Sequence, residues 1–394
     1  MWIPRDIEPL LRQAAKERPA VVVTGARQSG KTSLLQHVFP NHRYVSLDVP
    51  RIAQSAEESG ERFLETNTPP LTVDEIQYAP QLLRYIKKAV DDDRGRTGMF
   101  IMTGSQKFSL MEGVTESLAG RLAVLELHSL ALSEIEKVEG SQKHVRQLLE
   151  WMWKGGYPEL YAKNMDVQRF YSDYLATYLE RDVRQVLQVR SLRDFDRFMR
   201  LAASRTAQLL SLNSMASDLG VSPNTIKAWL SILEASNIIH LLEPYYENFG
   251  KRIVKTPKLY FLDTGLAAFL VGFESPKQLE KSSALGAFFE TLALGQLIRW
   301  HANRGRPGRI YFYRDHHGLE VDFLVPRGNQ LALFECKWSE HPPARFKGFE
   351  DLSKIAGGTH SVSRSILTPI RGFHRIKSAA VTIEDCIDFR SLED

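Results

Sequence analysis

Over the first third of the chain, short apolar runs alternate with stretches whose apolar residues recur at helical spacing. The runs are Ala20–Thr24, Tyr44–Leu47, Leu71–Val73, Met99–Thr103 and Ala123–Leu127. This alternation is the signature of βαβ units, and it predicts a parallel sheet covered by helices on both faces. From 136 to 205 the pattern is helical, interrupted by the turn GGYPEL at 155–160. Residues 206–262 read as short helices followed by strand-like sequence. An α/β pattern then returns, with one apolar helix over Ala284–Trp300 and strands over 309–313, 319–325 and 330–338. Four segments are therefore expected, at 1–135, 136–205, 206–262 and 263–394.

The first apolar strand runs into Gly25-Ala26-Arg27-Gln28-Ser29-Gly30-Lys31-Thr32, and a helical pattern, SLLQHVF, follows. This is the G-x-x-x-x-G-K-[ST] phosphate loop in its required strand–loop–helix setting. Gly25 and Gly30 allow the backbone to curl so that its N–H groups face phosphate oxygens. Lys31 is expected to neutralise the β- and γ-phosphates of ATP, and the Thr32 hydroxyl to ligate Mg²⁺. The strand Leu71–Val73 leads into Asp74-Glu75. Asp74 at a strand end suits the Mg²⁺ shell, and Glu75 suits polarisation of the attacking water. Ser105, after the strand Phe100–Thr103, is a candidate sensor of the γ-phosphate. Arg121, in SLAGR, reads either as an arginine finger for a neighbouring subunit's nucleotide or as a surface ion pair.

Residues 213–239, NSMASDLGVSPNTIKAWLSILEASNII, contain a short helix, Gly220 at a C-cap position, and Ser222-Pro223 opening a longer helix. Ala216, Leu219, Ile226, Leu230 and Leu233 can share a small core, which predicts a helix-turn-helix. With strands at Ile238–Glu243 and Lys258–Phe261 it becomes a winged helix. Ser222, Asn224, Thr225 and Lys227 would then face DNA, although the helix offers little of the positive charge that phosphate neutralisation requires.

The C-terminal region carries carboxylates inside apolar strands. Glu290 lies in GAFFE, Asp322 in LEVDFLV, and Glu335 and Lys337 in LFECKW. Alternation puts Glu335 and Lys337 on one strand face. Charges there need compensation. Mg²⁺ on Asp322 and Glu335, completed by Glu290, would provide it, with Lys337 activating a water against phosphate. A buried salt bridge of Lys337 with one carboxylate is the chemically silent alternative. Upstream, Arg299–Arg314 has five arginines and no acid, a phosphate track. The adjacent His316 and His317 are read as solvated loop residues.

Length and composition narrow the setting. A chain of 394 residues supports two or three cores. The 51 basic and 47 acidic residues nearly cancel, so only local clusters hint at an anionic partner. Cys336 and Cys386, the two cysteines, are too few for a disulfide scaffold. The opening MWIPRDIEPL is no secretory signal, and no apolar run reaches the ~20 residues of a membrane span. A soluble cytoplasmic protein is expected.

Taken in order, WIPRDIEPLL, GARQSGKTSLL, YVSLD, VDEIQ, TGSQ, SLAGR, GGYPEL, TYLERDV, the helix-turn-helix, FLDTGL, GAFFE, EVDF and ECK span residues 2–337. In this series the chain resembles a widespread prokaryotic family of AAA+ ATPases with a C-terminal domain of unknown function. That C-terminal domain is similar to the PD-(D/E)xK, or restriction-endonuclease-like, fold. The resemblance places the family's acidic and lysine positions on Glu290, Asp322, Glu335 and Lys337. Two phosphate-chemistry constellations on one chain point to an ATP- and Mg²⁺-using, AAA+-like machine acting on nucleic acid, DNA first, through a nuclease-like domain, and analogy with AAA+-like motors to a homo-oligomer. The rival readings are a nucleotide-regulated switch or scaffold whose C-terminal domain only binds a partner, and a sequence-specific transcription regulator.

Overall fold

The computed structural model describes all residues except 105–117, 141–144, 179–191, 246–253, 307, 344, 357–359, 371, 377–380 and 394. The described chain forms two compact units: Met1–Leu130 with Ala235–Asn237 and His301–Arg306, and Ala131–Glu234 with Ile238–Trp300 and Pro307–Asp394.

In the first unit the elements are α1 (Glu8–Glu17), β1 (Ala20–Thr24), α2 (Lys31–Val38), β2 (Arg43–Ser46), α3 (Pro50–Glu58), α4 (Gly60–Thr66), β3 (Leu71–Asp74), α5 (Leu82–Asp92), β4 (Phe100–Gly104) and β5 (Leu122–Glu126). The strands pair in the order β2-β3-β4-β1-β5, every pair parallel. β1, β3 and β4 are buried along their whole length because helices cover both faces. Period-two alternation divides β1 between two cores. Ala20 and Val22 pack with Val73, Met102, Phe63 and Ile86. Val21 and Val23 pack with Ile101, Leu11, Leu34 and Leu35. Parallel pairing also brings the C-terminal ends of all five strands to one edge of the sheet, where open α/β sheets bind ligands.

In the second unit, α6 (Leu132–Glu139), α7 (Val145–Lys154), α8 (Pro158–Ala162), α9 (Val167–Tyr178) and α10 (Leu192–Ser204) come first. Then follow β6 (Gln208–Leu209), α11 (Leu212–Leu219), α12 (Pro223–Ala235), β7 (Ile239–Leu242), β8 (Lys258–Phe261), α13 (Thr264–Val271), α14 (Pro276–Glu280) and α15 (Leu285–Ala302). The chain ends through β9 (Tyr311–Arg314), β10 (Glu320–Arg327), β11 (Gln330–Cys336), α16 (Lys347–Ala356), β12 (Ser361–Thr368), β13 (Phe373–Ile376) and β14 (Val381–Asp385).

β6, β8 and β7 form an antiparallel sheet beside the α11–α12 pair. Gly220 caps α11 in the left-handed region; Met215, Ala216, Ile226, Leu230 and Leu233 are buried, whereas Leu219, expected in the same core, is half-buried. A second sheet runs β13-β14-β12-β11-β10-β9. Within it β9, β10 and β11 are an antiparallel meander, and β12 returns parallel to β11. The register of β10 against β9 shifts between Val321 and Leu324, a bulge that re-aims the side chains beside it, Asp322 among them.

GGYPEL and FLDTGL meet inside this second unit. Asp263 caps α13 by accepting from the N–H groups of Gly265 and Leu266, at 3.1 and 3.2 Å. It also accepts from Gly156 N–H and the Tyr171 hydroxyl, both at 2.9 Å. Gly265 lies so close that a Cβ there would stand 2.3 Å from Tyr171 Oη and 2.5 Å from Lys154 O. Among the described residues, no helix is long and apolar enough to cross a membrane.

Candidate functional site

The loop between β1 and α2 is shaped by residues with positive φ. Gly25 has φ +146°, Gln28 +58° and Gly30, which heads α2, +93°. At Gly25 no other residue fits: a Cβ would come within 2.0 Å of Leu127 O. Lys31 is buried and donates to Gly25 O and Ala26 O, both at 2.9 Å, so its ammonium lies across the mouth of the loop. Ala26 is buried, Arg27 half-buried and Gln28 exposed. Ser29 Oγ is buried with no hydrogen-bond partner among the described residues.

Because β4 lies between β1 and β3, the edge of the sheet brings Asp74 towards the loop. Asp74 is 4% exposed and gathers hydroxyl donors. Thr32 Oγ1 donates to Oδ2 and Oδ1 at 2.9 and 3.1 Å. Tyr44 donates to Oδ2 at 2.7 Å and Thr103 to Oδ1 at 2.5 Å. Burial and the bond to Asp74 push the Tyr44 phenol pKa up. The Thr103 hydroxyl also accepts from Glu75 N–H at 2.9 Å, so one oxygen positions both acids. Glu75 adopts a left-handed φ of +58°, and Gln77 donates to its Oε2 at 2.5 Å. A non-glycine residue in that region stores about 1–2 kcal/mol, held here by the surrounding bonds.

Thr103 and Tyr44 are site residues that sequence reasoning missed. For Thr103 the sequence showed only its apolar strand; that the strand ends beside both the phosphate loop and Asp74 comes from the order β3-β4-β1. Ser105, the expected sensor, lies outside the described residues. Arg121 is engaged within its own chain, with Nε 2.8 Å from Asp91 Oδ1 and Nη1 donating to Ala119 O at 3.3 Å. This is the ion-pair alternative for that residue.

The C-terminal acids occupy a separate place, in the second unit. Glu290 on α15 receives Lys258 Nζ at 2.9 Å and the Tyr260 hydroxyl. Lys258, 3% exposed, also contacts Glu320, which pairs with Arg314 at 3.0 Å. Asp322 Oδ2 accepts Cys336 N–H at 2.8 Å, and Lys337 pairs with Glu335 at 2.8 Å. Burial and the neighbouring Asp322 charge push Glu290 and Glu335 up to about 7. Burial likewise raises Asp322. Burial alone would lower Lys258, but Glu290, Asp322 and Glu320 outweigh it and hold the lysine charged. The Lys258 charge in turn does not bring Glu290 back to the ordinary carboxylate range, because desolvation and Asp322 act more strongly on that acid.

Glu290, Asp322 and Glu335 are thus electrostatic neighbours, with Glu290 committed to Lys258 and Tyr260. Sequence reasoning did not foresee Lys258 or Glu320, which join the cluster through tertiary folding. Among the described residues, no group of three or more His, Cys, Asp or Glu side chains is arranged to hold a metal ion. The surface expected to read DNA is partly self-satisfied. Ser222 Oγ accepts from Thr225 N–H at 3.1 Å and lies 2.9 Å from its hydroxyl, while Asn224 and Lys227 are exposed.

A family model described as an AAA domain matches residues 17–136, and two domains of unknown function, DUF8612 and DUF4143, match residues 145–277 and 285–379. Uncharacterized proteins of Mycobacterium tuberculosis and Mycobacterium bovis are each 30% identical over 341 residues, covering 86% of this chain and 74% of theirs. Among solved structures, a Walker-type ATPase of Pyrococcus abyssi covers 68% of this chain and 96% of its own, at 16% identity and a TM-score of 0.47. A variant of Thermotoga maritima RuvB covers 60% of this chain and 88% of its own, at 13% identity and a TM-score of 0.30. The chain belongs to the family of the two mycobacterial proteins and is a P-loop ATPase with an AAA domain.

Proposed function

We propose that the protein hydrolyses Mg-ATP at the β1–α2 loop and uses the cycle to act on nucleic acid through its C-terminal domain. The observation that carries the first half is the contact of Thr32 and Asp74 across the sheet edge, 2.9 Å from hydroxyl to carboxylate. A hydroxyl and a carboxylate are hard oxygen donors that suit Mg²⁺, so these two residues would hold it. Bound there, the ion would neutralise charge on the β- and γ-phosphates. Lys31 and the Gly30 N–H bind phosphate, Glu75 orients the water, and Thr103 keeps the two acids in register. Copies assembling around shared sites, with Arg121 leaving Asp91 for a neighbour's nucleotide, belong to the same reading, as does a cytoplasmic setting.

For the second half, support comes from connectivity. A helix bearing Glu290 precedes a three-stranded meander with Asp322 on its second strand and Glu335 and Lys337 at the end of its third. A helix and a parallel strand follow. That order agrees with a restriction-endonuclease-like fold, and the α11–α12 pair with its sheet agrees with a winged helix that presents Asn224 and Lys227. Mg²⁺ is commonly held by one or two carboxylates plus water, which Asp322 and Glu335 can supply. Lys337 would then sit beside the attacking water.

A second reading has its own support. Lys258 already pairs with Glu290 and Glu320, and Lys337 with Glu335, which agrees with a partner-binding domain without chemistry. Incubation with mixed DNA and RNA, Mg²⁺ and ATP separates the two. Cleavage lost in Lys337→Ala and Asp322→Ala, with ATP turnover intact, supports the nuclease. No cleavage by the wild type, or cleavage unchanged in both variants, leaves the switch.

A further inference from the structure

The N-terminal segment, WIPR, precedes every element of the ATPase core, yet it is built into the back of the phosphate loop. Ile3 and Ile7 are buried, and Trp2 stacks on His37 of α2 with ring centroids 4.1 Å apart. Between them Arg5, 6% exposed, donates through Nη1 to Ser29 O and through Nη2 to His128 O, both at 2.8 Å. His128 follows β5 in the same backbone stretch whose Leu127 carbonyl closes against Gly25. The loop is therefore tied to residues 127–128 at both ends, by direct packing at Gly25 and by the guanidinium at Ser29.

The consequence follows from peptide geometry. The Ser29–Gly30 bond is trans, since Pro69-Pro70 is the cis peptide among the described residues. In a trans peptide the carbonyl and the next N–H point in opposite directions. Drawing Ser29 O back onto Arg5 turns the Gly30 N–H forward, into the concave face of the loop at the head of α2, where anions bind. Without that anchor the peptide can rotate and withdraw its donor. A guanidinium is suited to this task because its planar fork reaches two carbonyls at once and keeps its charge at any working pH.

We infer that Arg5 is a positioning residue for nucleotide binding, one that aims the Gly30 amide at phosphate from behind the loop. The inference rests on nucleotide binding at this loop. Titration of Mg-ADP into wild-type, Arg5→Gln and Arg5→Lys protein, with the Gly30 amide followed by NMR, tests it. The wild-type Gly30 amide proton should shift downfield on binding. Arg5→Gln, at a temperature where it remains folded, should bind about tenfold more weakly and lose that shift. Arg5→Lys, charged but unforked, should fall between. A merely structural role would lower the melting temperature and leave the folded variant's affinity and the Gly30 shift unchanged, overturning the inference. So would a wild-type Gly30 amide indifferent to bound ADP, even if both variants failed to fold. Wild-type protein without affinity for ADP would bring down the nucleotide-site reading as well.

Discussion

Replacing Thr103 by valine keeps the shape of a β-branched residue in β4 and removes one hydroxyl. That hydroxyl donates to Asp74 at 2.5 Å and accepts from Glu75 N–H at 2.9 Å, at a residue 1% exposed. A hydrogen bond to a charged group contributes about 1.5–3 kcal/mol and a neutral one about 1 kcal/mol. Both partners stay buried or half-buried after the change, so little of this is recovered from water. Asp74 retains Thr32 and Tyr44, which places the expected loss of transition-state positioning near 3 kcal/mol, or about a hundredfold in kcat. Lys31 and the Gly30 amide do not involve Thr103, so KM for ATP should change by less than about threefold. Steady-state phosphate release over a range of ATP concentrations, with ADP affinity measured alongside, reads both numbers. Thr103→Ser should restore most of the rate. A folded Thr103→Val enzyme with kcat within about threefold of wild type, or a Thr103→Ser enzyme as slow as the valine variant, would refute the reasoning.

Gly25→Ala should abolish ADP binding, because the new Cβ falls 2.0 Å from Leu127 O at a φ of +146° and relieving the clash costs about 3 kcal/mol or more. Calorimetric titration checks it. Asp263→Ala strands the Gly156, Gly265 and Leu266 amides, while the Tyr171 hydroxyl keeps Lys154 O; it should lower stability by about 3–5 kcal/mol, read as a fall in urea midpoint. Glu290 is raised by burial from 4.5 to about 7, so its folded state binds a proton more tightly than its unfolded state. Its contribution is then fully present below about pH 4.5 and is lost as pH rises through about 7. Glu290→Gln mimics the protonated acid, so the stability of wild type minus variant should fall by up to about 3 kcal/mol between pH 4.5 and 7 in parallel urea titrations. A flat difference would contradict the assignment.

The phosphate loop was readable because its chemistry is local: eight consecutive residues between a strand and a helix leave few alternatives. Asp74 was readable for a related reason, as an acid at the end of an apolar strand. Thr103 was harder. Its strand was evident, but that β4 lies between β1 and β3 depends on strand order, which no local pattern records. Arg5 and Tyr44 were unreadable as site residues, because Arg5 lies before the first helix and Tyr44 on the edge strand β2, and no local motif marks either. The C-terminal cluster shows the same limit. Alternation correctly put Glu335 and Lys337 together, and their 2.8 Å ion pair follows from it. The lysine partner of the helical Glu290 is Lys258, 32 residues earlier in sequence and on the three-stranded sheet, and burial had argued for a compensating charge without saying which. GGYPEL and FLDTGL were visible as motifs, and their meeting around Asp263 explains them as packing and capping.

Magnesium-dependent phosphate release from ATP by the wild-type chain and by Lys31→Ala bears most directly on the account. The wild type should turn ATP over, with activity lost on chelation of Mg²⁺. Lys31→Ala, lacking the ammonium that spans the loop, should neither bind nor hydrolyse it. Equal turnover by the two proteins, or no affinity of the folded wild type for any nucleoside triphosphate, would contradict it.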